Sequence, residues 1–237
     1  MEIKSFDSFE NLSKTVAEII VHEINEKPNL LICPATGNSP KRAYQILVEF
    51  YQDKKINPSG IRMIKLDEWG DMELDHPDSC EMFLRKNLIE PLGLNPSQYI
   101  GYSGKDSEIE KSIHKVQDYL NHEGPIDLCI LGIGANGHLA MNEPNHDLSP
   151  TIHRAILAPS TMEHAMIQNM GEKPKFGISL GMADLLNAKR IILIVQGKPK
   201  KEIAHKLLNP TINTQNPSSF LWLHPKIQVF LSPEILD

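Results

Sequence analysis

Six short apolar runs, separated by stretches with helical spacing, constrain this chain more than any other feature. They are Leu30-Leu31-Ile32-Cys33, Ile61 to Leu66, Leu128 to Leu131, Ala155-Ile156-Leu157, Ile191 to Val195 and Ile227 to Leu231. Each is continuous rather than alternating, as a strand is when both of its faces are covered. Between them, Ser8 is placed to cap a helix whose Leu12, Val16, Ile19 and Ile20 share one face. Ser39 as a cap and Pro40 at the first helical position predict a second helix through Tyr44, Leu47 and Val48. Further helices are predicted over about 78–90, 108–121 and 198–208. Strands alternating with helices predict an α/β chain of three layers, a mainly parallel sheet with helices on both faces. No repeat, low-complexity segment or long linker interrupts this pattern, so residues 1–237 are expected to form a single domain.

The balance of charge narrows the partners. Lys and Arg number 24 against 30 Asp and Glu, a net charge of −6. A phosphate backbone needs a basic face, so no nucleic-acid partner is expected. A small phosphorylated ligand needs only a few local donors and stays compatible. Cys33, Cys80 and Cys129 are odd in number and form no C-x-x-C pair, which suits free thiols in a reducing compartment. The N-terminal MEIKSFDSFENL has no apolar core of a signal peptide. No apolar run approaches the ~18 residues that span a bilayer. A soluble, cytoplasmic protein with no membrane partner is expected.

The stretch LGIGANGHLAMNEP, Leu131 to Pro144, follows one of the strands and contains G-x-G-x-x-G at Gly132, Gly134 and Gly137. A dinucleotide fingerprint needs the third glycine inside a helix long enough to pack on the sheet. Pro144 stands seven residues after Gly137 and would end or kink that helix. The glycines fit better as a tight strand-to-helix turn that lets backbone come close to something. Asn136, His138, Asn142 and Glu143 remain as a polar cluster near a strand end, where ligands of open α/β sheets bind. On residue types alone, a structural cluster and a catalytic one are equally compatible with it.

Three other segments also place polar groups after strands. In CPATGNSPKRAY, Thr36, Gly37, Asn38 and Ser39 lie between a strand and a helix start, where free N–H groups and the positive helix end suit an anion. It is not a Walker loop, because no G-K-[ST] follows. In IKLDEWGDM, the carboxylate pair Asp67 and Glu68 can supply a general base if one member is partly desolvated. In GKPKKEIAHKLL, Lys198, Lys200 and Lys201 crowd the first turn of a helix, the wrong end for its dipole unless an anion is near. At least two of these lysines are expected to be simply solvated. An anion cradle, a carboxylate base and a His–Glu pair at successive strand ends suit acid–base chemistry on a sugar phosphate.

The segments ICPATGNSP, KLDEW, HPDSCEMFLRKNLIEPLGL, DLCILGIGANGHLAMNEP, GISLGMADLLNAKRIILIVQGKPK and SSFLWLHPK run from about residue 30 to 226. Together they resemble the glucosamine-6-phosphate deaminase and 6-phosphogluconolactonase superfamily, and within it the galactosamine-6-phosphate deaminase/isomerase branch. The resemblance implies a Rossmann-like sheet of the glucosamine-6-phosphate deaminase type. It implies that Asp67 moves the C2 proton, and that His138, oriented by Glu143, opens the sugar ring. It implies that Thr36, Gly37, Ser39 and Lys200 hold the phosphate, with Asn38 in the same loop. The substrate would be a small amino-sugar 6-phosphate, galactosamine before glucosamine. No metal and no organic cofactor is implied.

Two positions depart from the glucosamine-type pattern. Asn136 stands where those enzymes have an aspartate, and is read as a marker of the galactosamine branch. An amide orients His138 but adds no charge, so His138 is expected to be a weaker base than with two carboxylates. No arginine stands near Glu163–Met166, where glucosamine-type enzymes bring one to the phosphate; His153, Arg154 and His164 are the candidate replacements. The chain also ends before the C-terminal extension of the allosteric hexameric relatives, so their regulation and oligomeric state are not carried over. A lactonase-type hydrolase and a non-catalytic sugar-phosphate sensor are the competing functions. The N-E-P after His138 and the Asp67 base argue against the first, and the complete acid–base set against the second.

Overall fold

The computed structural model describes residues 1–163, 167 and 173–236. Ten strands and six α-helices alternate along it. The first half contains β1 (Glu2–Ser5), α1 (Phe9–Glu26), β2 (Leu31–Pro34), α2 (Asn38–Gln52), β3 (Arg62–Ile64), β4 (Asp67–Trp69), α3 (Cys80–Leu84), β5 (Tyr99–Ile100) and α4 (Ile109–Glu123). The second half contains β6 (Leu128–Gly132), β7 (His153–Ala155), β8 (Gly177–Ser179), α5 (Met182–Leu186), β9 (Arg190–Val195), α6 (Lys201–Leu208) and β10 (Ile227–Leu231). Seven strands form one wholly parallel sheet in the order β1-β10-β9-β6-β2-β3-β5. The expected α/β fold is therefore present, with a second, smaller sheet that was not expected.

Burial of both sheet faces follows from the continuous apolar runs. Leu31, Cys33, Cys129, Leu131, Ile191, Leu193 and Val195 pack into one core with residues of α4, α5 and α6. The alternate residues Leu30, Ile32, Leu128, Ile130, Ile192 and Ile194 pack into the other with α1 and α2. Because successive strand side chains point to opposite faces, one run supplies both cores. Ser8 caps α1 by accepting from Asn11 N at 3.1 Å, and Leu12, Val16 and Ile20 are buried beneath it.

Three expectations about elements need correction. The run Ile61 to Leu66 is not one strand: β3 stops at Ile64, and after Lys65 and Leu66 the chain crosses to β4 in the three-stranded antiparallel sheet β4-β8-β7. The run Ala155-Ile156-Leu157 contributes only Ala155, as the end of β7, and Ile156 is 84% exposed. The second helix starts two residues early. Gly37 (φ +95°) is its cap, Asn38 its first residue and Ser39 lies inside it, while Pro40 takes the third position. Pro40 costs no hydrogen bond there, since the first four helical N–H groups have no partner within the helix.

Sheet order decides where a ligand can sit. From β2 the chain moves outward through β3 to β5, whereas β6, β9 and β10 build the other side. The direction of winding reverses between β2 and β6, and the loops leaving their carboxyl ends part to leave a crevice, the usual ligand site of such sheets.

Candidate active site

A cavity of about 670 Å³ opens at that reversal. It is lined from the carboxyl ends of four adjacent strands: Thr36 to Ser39 after β2, Asp67 after β3, Gly132 to His138 after β6, and Gln196 and Lys200 after β9. Sequence-distant candidates are thus brought together. Glu143 stands behind His138, 3.1 Å from its ring, instead of on the cavity wall.

The anion cradle is built by backbone. Gly37 adopts a positive φ that lets the chain turn straight from β2 into α2. The buried Tyr44 of α2 donates its hydroxyl to Ala35 O at 2.9 Å and pins the turn. No side chain caps α2, and no acidic residue stands in its first turn. Its free N–H groups and positive end therefore remain open to the cavity. Lys200 faces the same space, half-buried. Burial holds its ammonium below the usual lysine range, with no carboxylate beside it among the described residues. Lys198 is exposed, and Lys201, partly buried, does not line the cavity.

Asp67 and Glu68 divide the work expected of a carboxylate pair. Neighbouring residues of a strand face opposite ways. Asp67 lines the cavity, 8% exposed, and its Oδ1 has no hydrogen-bond partner among the described residues. Burial first, then the negative charge of Glu68, push its carboxyl up to about 7 against the opposing effects of Cys80 and Lys65. Glu68 points away from the cavity into a fully buried ion pair with Lys65 at 2.9 Å.

The glycine-rich stretch does not lead into a helix, as a strand-to-helix turn would. It folds back on itself: Gly137 N donates to Gly134 O at 3.0 Å and Gly134 N to His138 O at 2.9 Å. The imidazole of His138 then lies against Gly134, where a Cβ would stand 2.4 Å from ring Cε1 and Nε2. Gly137 (φ +92°) backs onto Asn216, and Ser218 N donates to Gly137 O at 2.9 Å. Gly134 and Gly137 are therefore required by close approach of a histidine ring and of a neighbouring loop, whereas a Cβ at Gly132 would meet open space.

On His138, Nδ1 lies 3.1 Å from Glu143 Oε2 and 3.2 Å from Thr161 Oγ1, which leaves Nε2 as the nitrogen available to a ligand. Asn136 ties this unit together. Its Nδ2 donates to Glu143 Oε2 at 2.8 Å and to Ser160 Oγ at 3.1 Å, and its Oδ1 accepts from His138 N at 3.1 Å. Burial opposes the charge of Glu143, but hydrogen bonds and charge from His138, with Thr161 and Asn136, hold its carboxyl down to about 2. Asn142 of the same cluster is structural: its Nδ2 donates to Leu139 O and Leu180 O at 3.0 and 2.8 Å.

Ser160, Thr161, Trp69, Cys80 and Gln196 also line the cavity and were not singled out from the sequence. Thr161 had no local signal, since it reaches His138 across 23 residues. The proposed stand-ins for the phosphate arginine need correction. Arg154 lies 3.6 Å from the Phe176 ring centroid and pairs with Asp106, and neither it nor His153 lines the cavity. β7 carries both of them on the antiparallel sheet, away from the α2 start. His164 lies outside the described residues. Among these residues no group of three His, Cys, Asp or Glu is placed to hold a metal. No helix among them is long and apolar enough to cross a membrane.

Residues 5–230 match the family described as glucosamine-6-phosphate isomerases/6-phosphogluconolactonase. The chain is 36% identical over 222 residues to the Escherichia coli protein named "Putative deaminase AgaI", covering 94% of this chain and 88% of that one. It is 31% identical over 229 residues to glucosamine-6-phosphate deaminase of Thermoanaerobacter pseudethanolicus, covering 96% and 90%. The solved structure of a monomeric glucosamine-6-phosphate deaminase superposes with a TM-score of 0.93 at 28% identity, over 100% of this chain and 99% of that one.

Two substitutions test this geometry. Gly134→Ala puts a methyl group into the His138 ring and should cost roughly 1–3 kcal/mol, as overpacking does, measured by urea unfolding. Asn136→Asp replaces the amide 2.8 Å from Glu143 with a second carboxylate. It should favour the imidazolium, so that His138 in the variant titrates at higher pH than in the wild type by NMR. An unchanged titration would show that this position does not tune the ring.

Proposed function

Because the chain belongs to the family of glucosamine-6-phosphate isomerases and 6-phosphogluconolactonases, we propose that it is a deaminating aldose–ketose isomerase of amino-sugar 6-phosphates. The observation that carries this reading is the desolvated carboxyl of Asp67 in one cavity with an uncapped helix start and Lys200, neither Asp67 Oδ1 nor Lys200 having a partner among the described residues. The α2 N–H groups, Thr36, Ser39 and Lys200 hold the phosphate; Gly37 allows the close approach and Asn38 opens the helix. His138, with Glu143 on Nδ1, uses Nε2 to move the proton that opens the pyranose ring. Asp67 takes the C2 proton of the open aldehyde and an enolamine forms. Return of a proton to C1 gives a 2-imine, and water converts it to the 2-keto sugar phosphate and ammonia.

Protonation logic supports the assignment. A base that titrates near 7 matches the working pH, which maximises proton transfer in both directions. The same carboxylate has no task in lactone hydrolysis, where no carbon-bound proton moves. Asn136, KLDEW and SFLWLH favour galactosamine 6-phosphate, giving tagatose 6-phosphate, over glucosamine 6-phosphate, giving fructose 6-phosphate.

The deciding experiment measures ammonia release from both amino-sugar phosphates. Release from galactosamine 6-phosphate at the higher kcat/KM is expected. Hydrolysis of phosphogluconolactone with no ammonia from either sugar would overturn the reading.

Asp67→Asn should abolish exchange of the C2 proton with solvent while sugar-phosphate binding persists, and retained exchange would remove Asp67 from its role. The raised carboxyl also makes a stability prediction. The folded chain holds this proton more tightly than the unfolded chain, whose carboxyl titrates near 3.8. Stability from Asp67 is therefore present at low pH and lost between about 4 and 7. Asp67→Asn should accordingly raise Tm at pH 8 relative to wild type by more than it does at pH 4. Lys200→Met removes one charge-assisted hydrogen bond and should raise KM roughly 10–100-fold, with a smaller effect on kcat.

A further inference from the structure

Glu68 lies outside the cavity and touches no substrate in the mechanism above, yet it is among the most heavily engaged side chains of the molecule. It is fully buried. Its Oε1 accepts from Trp69 N and Cys80 N, each at 2.9 Å. Its Oε2 accepts from Glu81 N and from Lys65 Nζ, also at 2.9 Å. Four donors on one carboxylate fill its lone pairs.

The donors show what Glu68 holds. Trp69 N belongs to β4, the three-residue strand that begins with Asp67. Cys80 N and Glu81 N are the first two residues of α3. Among the described residues β4 is an edge strand, paired only with β8. On its other side this carboxylate ties it to α3, where Trp69 also packs with Cys80. Cys80, held by the same carboxylate, lines the cavity and accepts a hydrogen bond from Thr36 Oγ1 at 3.5 Å. The base strand and the anion loop thus share one buried support.

Lys65 makes that support affordable in the interior. Its Nζ donates to Glu68, to Glu81 Oε2 at 2.9 Å and to Tyr102 O at 3.0 Å, so all three of its protons are used. Burial opposes the ammonium, but Glu68 and Glu81 hold it above the usual lysine range. Glu81 is in turn satisfied by Arg85 Nε at 2.8 Å and Tyr99 OH at 2.7 Å. Lys65 thus neutralises one buried carboxylate, and the second is met by Arg85, which is half exposed.

We propose that Glu68 is a positioning residue for Asp67: clamped by Lys65, it fixes β4 against α3 and sets the electrostatic surroundings in which Asp67 works. The proposal rests on the reading of Asp67 as the C2 base. The charges that bear on Asp67 are those of Glu68 beside it and Lys65 before it, with a side-chain hydrogen bond to Cys80 of α3, while the charge of Asp67 itself helps to raise Cys33 of β2 and Tyr102 after β5. His138 and Lys200 share its cavity.

Glu68→Gln and Glu68→Asp separate charge from reach. Glutamine keeps the length but replaces one acceptor oxygen with an amide that opposes Lys65 Nζ and Glu81 N. Aspartate keeps the charge but is too short to hold α3. Both variants should lower kcat by roughly 10–100-fold, the scale of a small misplacement of a reacting group. KM should change less than threefold. In Glu68→Gln the Asp67 titration should also move to lower pH, because a negative neighbour has gone. In Glu68→Asp it should stay nearer the wild-type position. The Asp67 carboxyl is followed directly by carbon-13 NMR, assigned by its loss in Asp67→Asn, and so does not depend on turnover.

If wild-type protein releases ammonia and both variants keep its kcat and its Asp67 titration, with only Tm lowered, Glu68 is structural and the proposal is overturned. If Glu68→Gln moves the Asp67 titration but wild type releases no ammonia, the positioning stands and the deaminase reading fails. Should Glu68→Gln not fold, Glu68→Asp decides: a loss of kcat at unchanged Asp67 titration supports the proposal, and wild-type kcat overturns it.

Discussion

Both faces of the seven-stranded parallel sheet are sealed by helices, and that closure dictates where chemistry can occur. A polar side chain on Ile130 or Leu193 positions would be buried without partners at a cost of several kcal/mol. Polar groups therefore collect where the strands end. At the reversal between β2 and β6 the exit loops diverge and leave space. The cradle at Thr36 to Ser39, the carboxylate of Asp67, the imidazole of His138 and the ammonium of Lys200 meet there because four neighbouring strands stop at one level.

Within that space, two carboxylates are driven in opposite directions by their surroundings. Asp67 is desolvated, beside another anion and short of donors, and its proton is held to about 7. Glu143 is also desolvated, but hydrogen bonds and charge from His138, with hydrogen bonds from Thr161 and Asn136, outweigh burial and hold it at about 2. Such divergence separates a group that exchanges protons from one that stays ionised and orients an imidazole. Asn136 contributes to this by donating to Glu143 where a second carboxylate would repel it. The buried Lys65, Glu68 and Glu81 cluster beneath Asp67 adds the same kind of preorganisation one layer deeper.

Much of this was readable in the sequence, for identifiable reasons. β2, β6, β9 and β10 were legible because burial on both faces leaves an unbroken apolar run. β1 was not, because all four of its residues are exposed, and β5 and β8 have only two and three residues. The run Ile61 to Leu66 was apolar throughout, yet its last residues leave one sheet for another, a change that no local pattern marks. Asp67, His138, Glu143 and Lys200 stood out because polar residues next to strand ends are conspicuous. Thr161, Ser160 and Cys80 did not, since what recruits them is proximity across long stretches of chain. Glu68 was visible as half of a carboxylate pair, but only alternation along β4 shows that it faces the interior.

The sequence by itself determined the layering, the strand ends and the residue types available for acid–base chemistry, because hydrophobic periodicity and turn chemistry are local properties. It also argued against reading LGIGANGHLAMNEP as a cofactor fingerprint, since Pro144 would end or kink the helix such a fingerprint needs. Tertiary structure decided which carboxylate of Asp67 and Glu68 meets the cavity, and what lies beneath it. It decided that His153 and Arg154 stand elsewhere, and that Gly134 exists to admit a histidine ring. These outcomes depend on distances between residues far apart in the chain, and on the dielectric that packing creates around a charge.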